Sequence, residues 1–285
     1  MSNNMLITDA VLNTPWSILP PKLLDILSVL QSKEQREKVN DDKLKAEVES
    51  ANEQKSKQYA VEDGVAIIPI YGILAKRFNI IMAISGGTSY RILAKNIQAA
   101  LSDGDVKALF LDIESPGGSV DGMTDVTDII YKARNGSKPI MSFADGLMAS
   151  AAYHVGSAAD YIVAANSTTQ VGSIGVITAP HMDFSKRYEK ESIKVTMFFS
   201  GKYKATPNPY TKLSKDDKNY IQSRLDYLYT LFIDAVAKHR NVAPEIVNSD
   251  MAEGKIYIGA QALDVGLIDD ILSRKQALER LKEMI

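Results

Sequence analysis

Val106-Lys107-Ala108-Leu109-Phe110-Leu111-Asp112-Ile113 is an almost unbroken run of strand formers, and it stops on Ser115-Pro116-Gly117-Gly118-Ser119. A short apolar run of this kind, closed by turn residues, reads as a strand buried on both faces. The residues on either side alternate in type. Residues 65–70 read as a strand and 88–101 as a helix, upstream of the run. Downstream, 120–134 reads as a helix, 139–143 as a short strand and 148–159 as a helix of small residues. Residues 161–164, 175–178 and 193–199 read as further strands. A long amphipathic helix then covers about 215–239, with Ile221, Leu225, Leu228, Phe232 and Val236 at a three-to-four spacing. Ser214 followed by Asp217 marks its start. Strands alternating with helices predict an α/β fold with mainly parallel sheets and flanking helices.

The first 60 residues differ from the rest and are expected to form an N-terminal extension, partly helical and partly linker. Pro15, Trp16, Pro20 and Pro21 open it irregularly, and Leu23, Leu24, Ile26, Leu27 and Leu30 could share one helical face. From about 31 to 58 the chain turns to Lys, Glu, Gln, Asn and Asp, with little apolar surface to bury, so it reads as solvated helix, linker or disorder. Residues 61–285 form the expected main domain.

Composition narrows the chemistry. The chain has 285 residues and no cysteine, which excludes a thiol nucleophile, a disulfide framework and thiolate metal sites. His154, His181 and His239 are far apart in sequence, so no metal site is expected. A net charge of −2 gives no reason to expect nucleic acid or an anionic membrane as partner. Residues 1–10 lack the basic and apolar regions of a secretory signal. The most apolar stretch, 65–84, is broken by Pro69, Gly72, Lys76 and Arg77 and makes a poor membrane span. A soluble, cytoplasmic protein is therefore expected.

Two loops can carry chemistry, because sites in α/β sheets gather at strand ends. In Ser115-Pro116-Gly117-Gly118-Ser119 the glycines let backbone amides face a ligand just before a helix, a way to build an oxyanion hole; a tight turn and nothing more is the alternative. In Asp145-Gly146-Leu147-Met148-Ala149-Ser150-Ala151-Ala152-Tyr153 a serine stands among small neighbours that leave room for a substrate backbone, with the Ala151 amide at a helix start. A close-packed Ala/Ser helix is the alternative here. His154 lies one turn beyond Ser150 on the same helical face, behind the hydroxyl, and reads as a packed helix histidine.

Together, Ser115-Pro116-Gly117-Gly118-Ser119-Val120, Ala149-Ser150 with Tyr153, and Val171-Gly172-Ser173-Ile174-Gly175-Val176 resemble the signal peptide peptidase A family, whose members share the Clp protease/crotonase fold. The resemblance runs from about Val65 to about Asp270. It implies a serine peptidase with Ser150 as nucleophile and the amides of Gly118 and Ala151 as oxyanion hole, with Gly117 the neighbouring candidate. Clp-type relatives carry a catalytic histidine near the position of Ser173-Ile174-Gly175, where this chain has none. The family instead uses a lysine, in a motif similar to Gly201-Lys202-Tyr203-Lys204 before Pro207 and Pro209. Lys204 is the matching residue and Lys202 the near miss; read without the family, both are solvated loop charges. Ser173 matches the serine that orients that lysine. In single-domain members the serine and lysine of one site come from neighbouring protomers, so the resemblance implies a homo-oligomer with shared sites.

The opening, Pro15-Trp16 and Pro20-Pro21 before Leu23-Leu24, resembles bacteriophage capsid peptidases of the same family, which implies head maturation with scaffold, portal or coat protein as substrates. A cytoplasmic bacterial peptidase degrading short peptides and an inactive assembly protein are the alternatives. No metal or organic cofactor is required by the implied mechanism.

Overall fold

The computed structural model describes residues 14–31, 46, 48–51, 59–77, 82 and 86–285. The chain opens with β1 (Trp16–Ile18) and α1 (Pro20–Gln31), then β2 (Ala60–Glu62), β3 (Val65–Tyr71), β4 (Ile73–Ala75) and β5 (Gly87–Ser89). Next come α2 (Tyr90–Ser102), β6 (Ala108–Ser115), β7 (Gly117–Ser119), α3 (Met123–Ala133), β8 (Ile140–Ala149), α4 (Ala151–Gly156), β9 (Tyr161–Ala164) and β10 (Gln170–Gly172). The last part holds α5 (Ser185–Lys190), α6 (Lys215–Arg240), α7 (Pro244–Ile246) with a π-helical turn (Val247–Met251), β11 (Ile256–Ile258), α8 (Ala260–Asp264), β12 (Asp270–Ile271) and α9 (Arg274–Glu283).

The larger sheet runs β11-β10-β8-β6-β3-β2, with β9 on β8 and β12 on β9; a smaller one runs β1-β7-β4-β5. The pairs β3/β6, β6/β8, β8/β9, β8/β10, β9/β12, β4/β5 and β4/β7 are parallel. The protein is therefore a mixed α/β fold with mainly parallel sheets and flanking helices. Strand β6 sits between β3 and β8 and is buried along its length except at Glu114. Burying each of Leu109, Phe110, Leu111 and Ile113 contributes about 1.5–3 kcal/mol.

Strand β8 forks. Its first half, Met141 to Ala144, pairs with β9, and its last residues, Leu147 to Ala149, pair with β10. Gly146, at φ 86°, provides the bend between the two halves. The expected helix over 148–159 is thus corrected. Met148 and Ala149 are strand, and helix begins only at Ala151, because β10 offers these residues a parallel partner that a sequence pattern does not reveal.

Three further expectations change. Residues 175–178 are not a strand of either sheet; Gln170–Gly172 takes that place beside β8, and Ile177 makes only an isolated bridge to Trp16. Residues 193–199 are not a strand and lie exposed. Leu24 is exposed, so the buried stripe of α1 is Leu23, Ile26 and Leu27. These three pack with Trp16, Ile18, Ile73 and Ala179, which joins the chain opening to the catalytic body. Most of the charged stretch 31–58 lies outside the described residues. Helix α6 begins where expected, on a reciprocal cap in which Ser214 Oγ accepts from the Asp217 amide and Asp217 accepts from the Ser214 amide.

Candidate active site

The site forms where β6 and β8 end side by side. Ser115 Oγ donates to the Gly72 carbonyl (2.7 Å) and accepts from the Gly117 amide (3.2 Å), fixing the turn into β7. The expectation that helix follows this loop directly is corrected: Gly117 and Gly118 belong to β7, and α3 starts only after Gly122. The amides of Gly117 and Gly118 are therefore presented by a strand that lies between β1 and β4, instead of by a helix N-terminus. No side chain larger than hydrogen fits here. A β-carbon on Gly117 would stand 2.2 Å from the Ser17 carbonyl oxygen and 3.0 Å from both the Ala149 oxygen and the Ala151 nitrogen. One on Gly118 would stand 1.9 Å from the Leu74 oxygen. The Gly117 amide is held inside its own turn by Ser115, whereas the Gly118 amide faces β1, so Gly118 is the donor that departure of β1 would free for an incoming oxyanion.

Ser150 is the hinge between β8 and α4. Its φ of 56° and ψ of −119° are rare for a residue with a β-carbon, and strain of this kind, of order 1–3 kcal/mol, persists where surrounding structure imposes it. The restraints are visible: the Ser150 amide donates to the Gly172 carbonyl (2.7 Å) and its carbonyl accepts from the His154 amide (2.9 Å). The Ala151 amide, at the first position of α4, has no acceptor among the described residues. It points a bare donor at the region beside Ser150. Ser173, also at positive φ (54°), follows Gly172 directly and is held by its amide to the Lys255 carbonyl (2.6 Å). The chain thus brings Ser150, Ala151, Gly117, Gly118 and Ser173 into one place.

Among the described residues, no His or Lys side chain is hydrogen-bonded to Ser150. His154 is buried, its Nδ1 2.9 Å from Thr127 Oγ1 and its ring edge against Phe232. Burial, and then the neighbouring His239, push its pKa down to about 3, so it is neutral and faces the core. Lys202 is tied to Asp216 (2.5 Å), whose hydrogen bond raises its pKa, the wrong direction for a base. Lys204 lies exposed in a turn closed by its amide on the Gly201 carbonyl (3.0 Å). That turn is fastened to the start of α6: Tyr203 stacks on Tyr220, and Thr206 donates to Asp217 (2.6 Å). Helix α6 buries side chains only from Phe232 onwards, roughly 24 Å along its axis from Asp216. Among the described residues, no hydrogen bond or ion pair joins Lys204 to Ser150 or Ser173.

Sequence reasoning missed this outreach. Its trace is the exposed apolar set Ile193, Val195, Met197, Phe198 (94% exposed) and Phe199, together with Tyr227 and Leu231 on α6. Among the described residues no cluster of three or more His, Asp or Glu could hold a metal, and no helix is long and apolar enough to cross a membrane.

The model for peptidase family S49 matches residues 132–285, a stretch that holds Ser150, Ser173 and Lys204. The chain belongs to this family. As an S49 member it is 31% identical to the capsid assembly protease C of Escherichia phage lambda over 81% of this chain and 51% of that protein. It is 33% identical to a putative signal peptide peptidase SppA of Enterococcus faecium over 64% of this chain and 52% of that protein. The chain spans about half the length of these curated relatives. Among solved structures, a ClpP1 mutant from Listeria monocytogenes is similar at a TM-score of 0.45 and 13% identity, over 74% of this chain and 94% of that one.

Proposed function

We propose that this S49 protein is a serine endopeptidase in which Ser150 attacks the substrate carbonyl and Lys204 of a neighbouring copy takes its proton. The observation that carries the reading is the posture of Ser150, held at positive φ between a sheet and a helix beside the unbonded Ala151 amide. A hydroxyl is a weak nucleophile until a base removes its proton. The resulting tetrahedral oxyanion would accept from Gly118 and Ala151, donors fixed before reaction and therefore needing no reorganisation. The proton passes to the leaving amine; water, deprotonated by the same lysine, then frees the acyl group from Ser150. Lysine serves as base only when neutral, and burial under a second copy favours that form. Ser173, beside Gly172, is positioned to hold the arriving ammonium or amine.

Lys204 is assigned to a neighbouring copy because its turn is mounted on the far end of α6, next to apolar side chains that nothing among the described residues covers. The substrate class follows from the phage lambda relative and the Pro15-Trp16 opening: a capsid, scaffold or portal polypeptide during head assembly. The test is co-expression with a candidate capsid or scaffold protein. Ser150→Ala and Lys204→Ala should each fold and leave the substrate uncut; full cleavage by Ser150→Ala contradicts the proposal. The Enterococcus faecium relative supports a second reading, degradation of short peptides, which predicts turnover of unstructured peptides and none of capsid proteins.

A further inference from the structure

Strand β1 fills the channel between β7 and Ile177, beside the Ala151 nitrogen, and it is bonded on both edges. On one edge it is antiparallel to β7, with Ser17 opposite Gly118. That ladder ends on Leu19 N–H donating to the Pro116 carbonyl (3.0 Å) and Val120 N–H donating to the Pro15 carbonyl (3.2 Å). Antiparallel ladders alternate, so Ser17 and Gly118, midway between those ends, are the pair that exchanges both bonds. The Gly118 amide, the better candidate for the oxyanion hole, is thus directed at the Ser17 carbonyl. That same carbonyl oxygen is the atom a β-carbon on Gly117 would strike, beside the Ala151 nitrogen. On the other edge Trp16 exchanges two bonds of 2.8 Å with Ile177, and Ser17 Oγ donates to the Gly175 carbonyl (3.2 Å).

An extended segment between two strand edges, with one carbonyl turned to the oxyanion donors, is how a polypeptide substrate would be read: through its backbone, by strand addition. We propose that residues 15–19 are a built-in pseudosubstrate, with Ser17 in the place of the residue whose carbonyl is attacked, and that a substrate must displace them. This rests on the peptidase reading above. The small Ser17 side chain, fully buried, marks that place as one for a small residue. The ladder is also built to let go. Pro15 and Pro116 have no N–H, so each end of the β1/β7 pairing keeps one bond where two are possible, and Pro20 and Pro21 stop it from lengthening. Retention comes instead from the buried stripe of α1, Leu23, Ile26 and Leu27, which holds the segment near the channel after it leaves.

A tethered segment competes at an effective concentration of about millimolar, so freeing the channel should tighten peptide binding by about tenfold or more. The test uses the full chain carrying Ser150→Ala, so that binding is read without hydrolysis. Trp16 is the sole tryptophan, and its emission reports the position of the strand. The probe is a fluorescein-labelled Thr-Pro-Phe-Ser-Ile-Leu peptide, followed by anisotropy. The expected result is saturable binding accompanied by a red shift of Trp16 emission. A second variant adds Ser17→Pro, which removes the amide donated to Gly118 and binds the peptide at least tenfold more tightly. Saturable binding with unmoved emission, equal affinity in the two chains, or no binding by either overturns the proposal. If Ser17→Pro does not fold, the emission titration decides alone. Failure of wild-type protein to cleave any polypeptide would sink the peptidase reading and leave these binding results standing.

Discussion

The two regions that the proposed mechanism joins are built on opposite principles. Around Ser150 the chain is glycine, alanine and serine, buried almost to the last atom, with each backbone turn fixed by a named bond. Around Lys204 it is lysine, tyrosine and proline on an exposed turn, attached to one end of a long helix whose other end alone enters the core. A region that must stabilise a developing charge benefits from rigidity, because preorganised donors cost no rearrangement at the moment of reaction. A region that must meet a second molecule keeps its apolar surface uncovered until that molecule arrives. Under the proposed mechanism the unit of structure and the unit of function differ: one chain folds, and two copies would make a site.

That contrast is broken most directly at Phe198. If 193–199 is an interface, Phe198→Asp should cost roughly 2–4 kcal/mol at each contact between copies. Light scattering would then show smaller assemblies, and activity would fall steeply with dilution while the thermal midpoint of the chain holds. An unchanged assembly would mean that this apolar surface is idle. In the rigid region the change to make is Gly117→Ala. Its β-carbon has no room beside the Ser17 and Ala149 oxygens, and its φ of 99° disfavours any side chain. Turnover should fall about 10²-fold, as when one oxyanion donor is lost, and the urea midpoint should drop too; a silent Gly117→Ala would remove the close approach from the account. A smaller effect sharpens the role of the histidines. His154 and His239, pushed down to about 3 and about 4 by burial, are neutral when folded and take up protons when unfolded. The unfolded chain therefore binds more protons below pH 6.5, and stability should fall by up to about 1.4 kcal/mol per pH unit for each histidine as pH drops from 6.5 towards 4. Urea midpoints across that range check it. Half that slope would mean that one of these rings is reached by water, and a flat profile that both are.

The rigid region was also the more legible one. Ser115-Pro116-Gly117-Gly118 and Ala149-Ser150-Ala151 advertise close backbone approach in their own composition, and the buried run through Leu109 and Leu111 announces a parallel sheet. What could not be read was decided by partners distant in sequence. Met148 and Ala149 read as the start of a helix because their partner strand, Gln170–Gly172, lies some twenty residues on. Residues 193–199 carry a strand pattern, yet among the described residues no strand pairs with them, and an extended exposed segment is what a pattern without a partner leaves. Lys204 came only from a family motif, since an exposed lysine in a tyrosine-rich turn looks like any solvated charge. The opening read as an extension because nothing in Pro15-Trp16-Ser17-Ile18 says that its backbone lies along β7 and Ile177.

The central claim, a serine and a lysine from different copies in one site, has a direct test in mixing Ser150→Ala with Lys204→Ala. Each variant alone should be inactive. If sites join neighbouring copies, a one-to-one mixture allowed to exchange subunits assembles both intact residues in about a quarter of its sites, and cleavage should return to about that fraction of wild type. A mixture as inactive as its components, with subunit exchange demonstrated, would contradict the shared site.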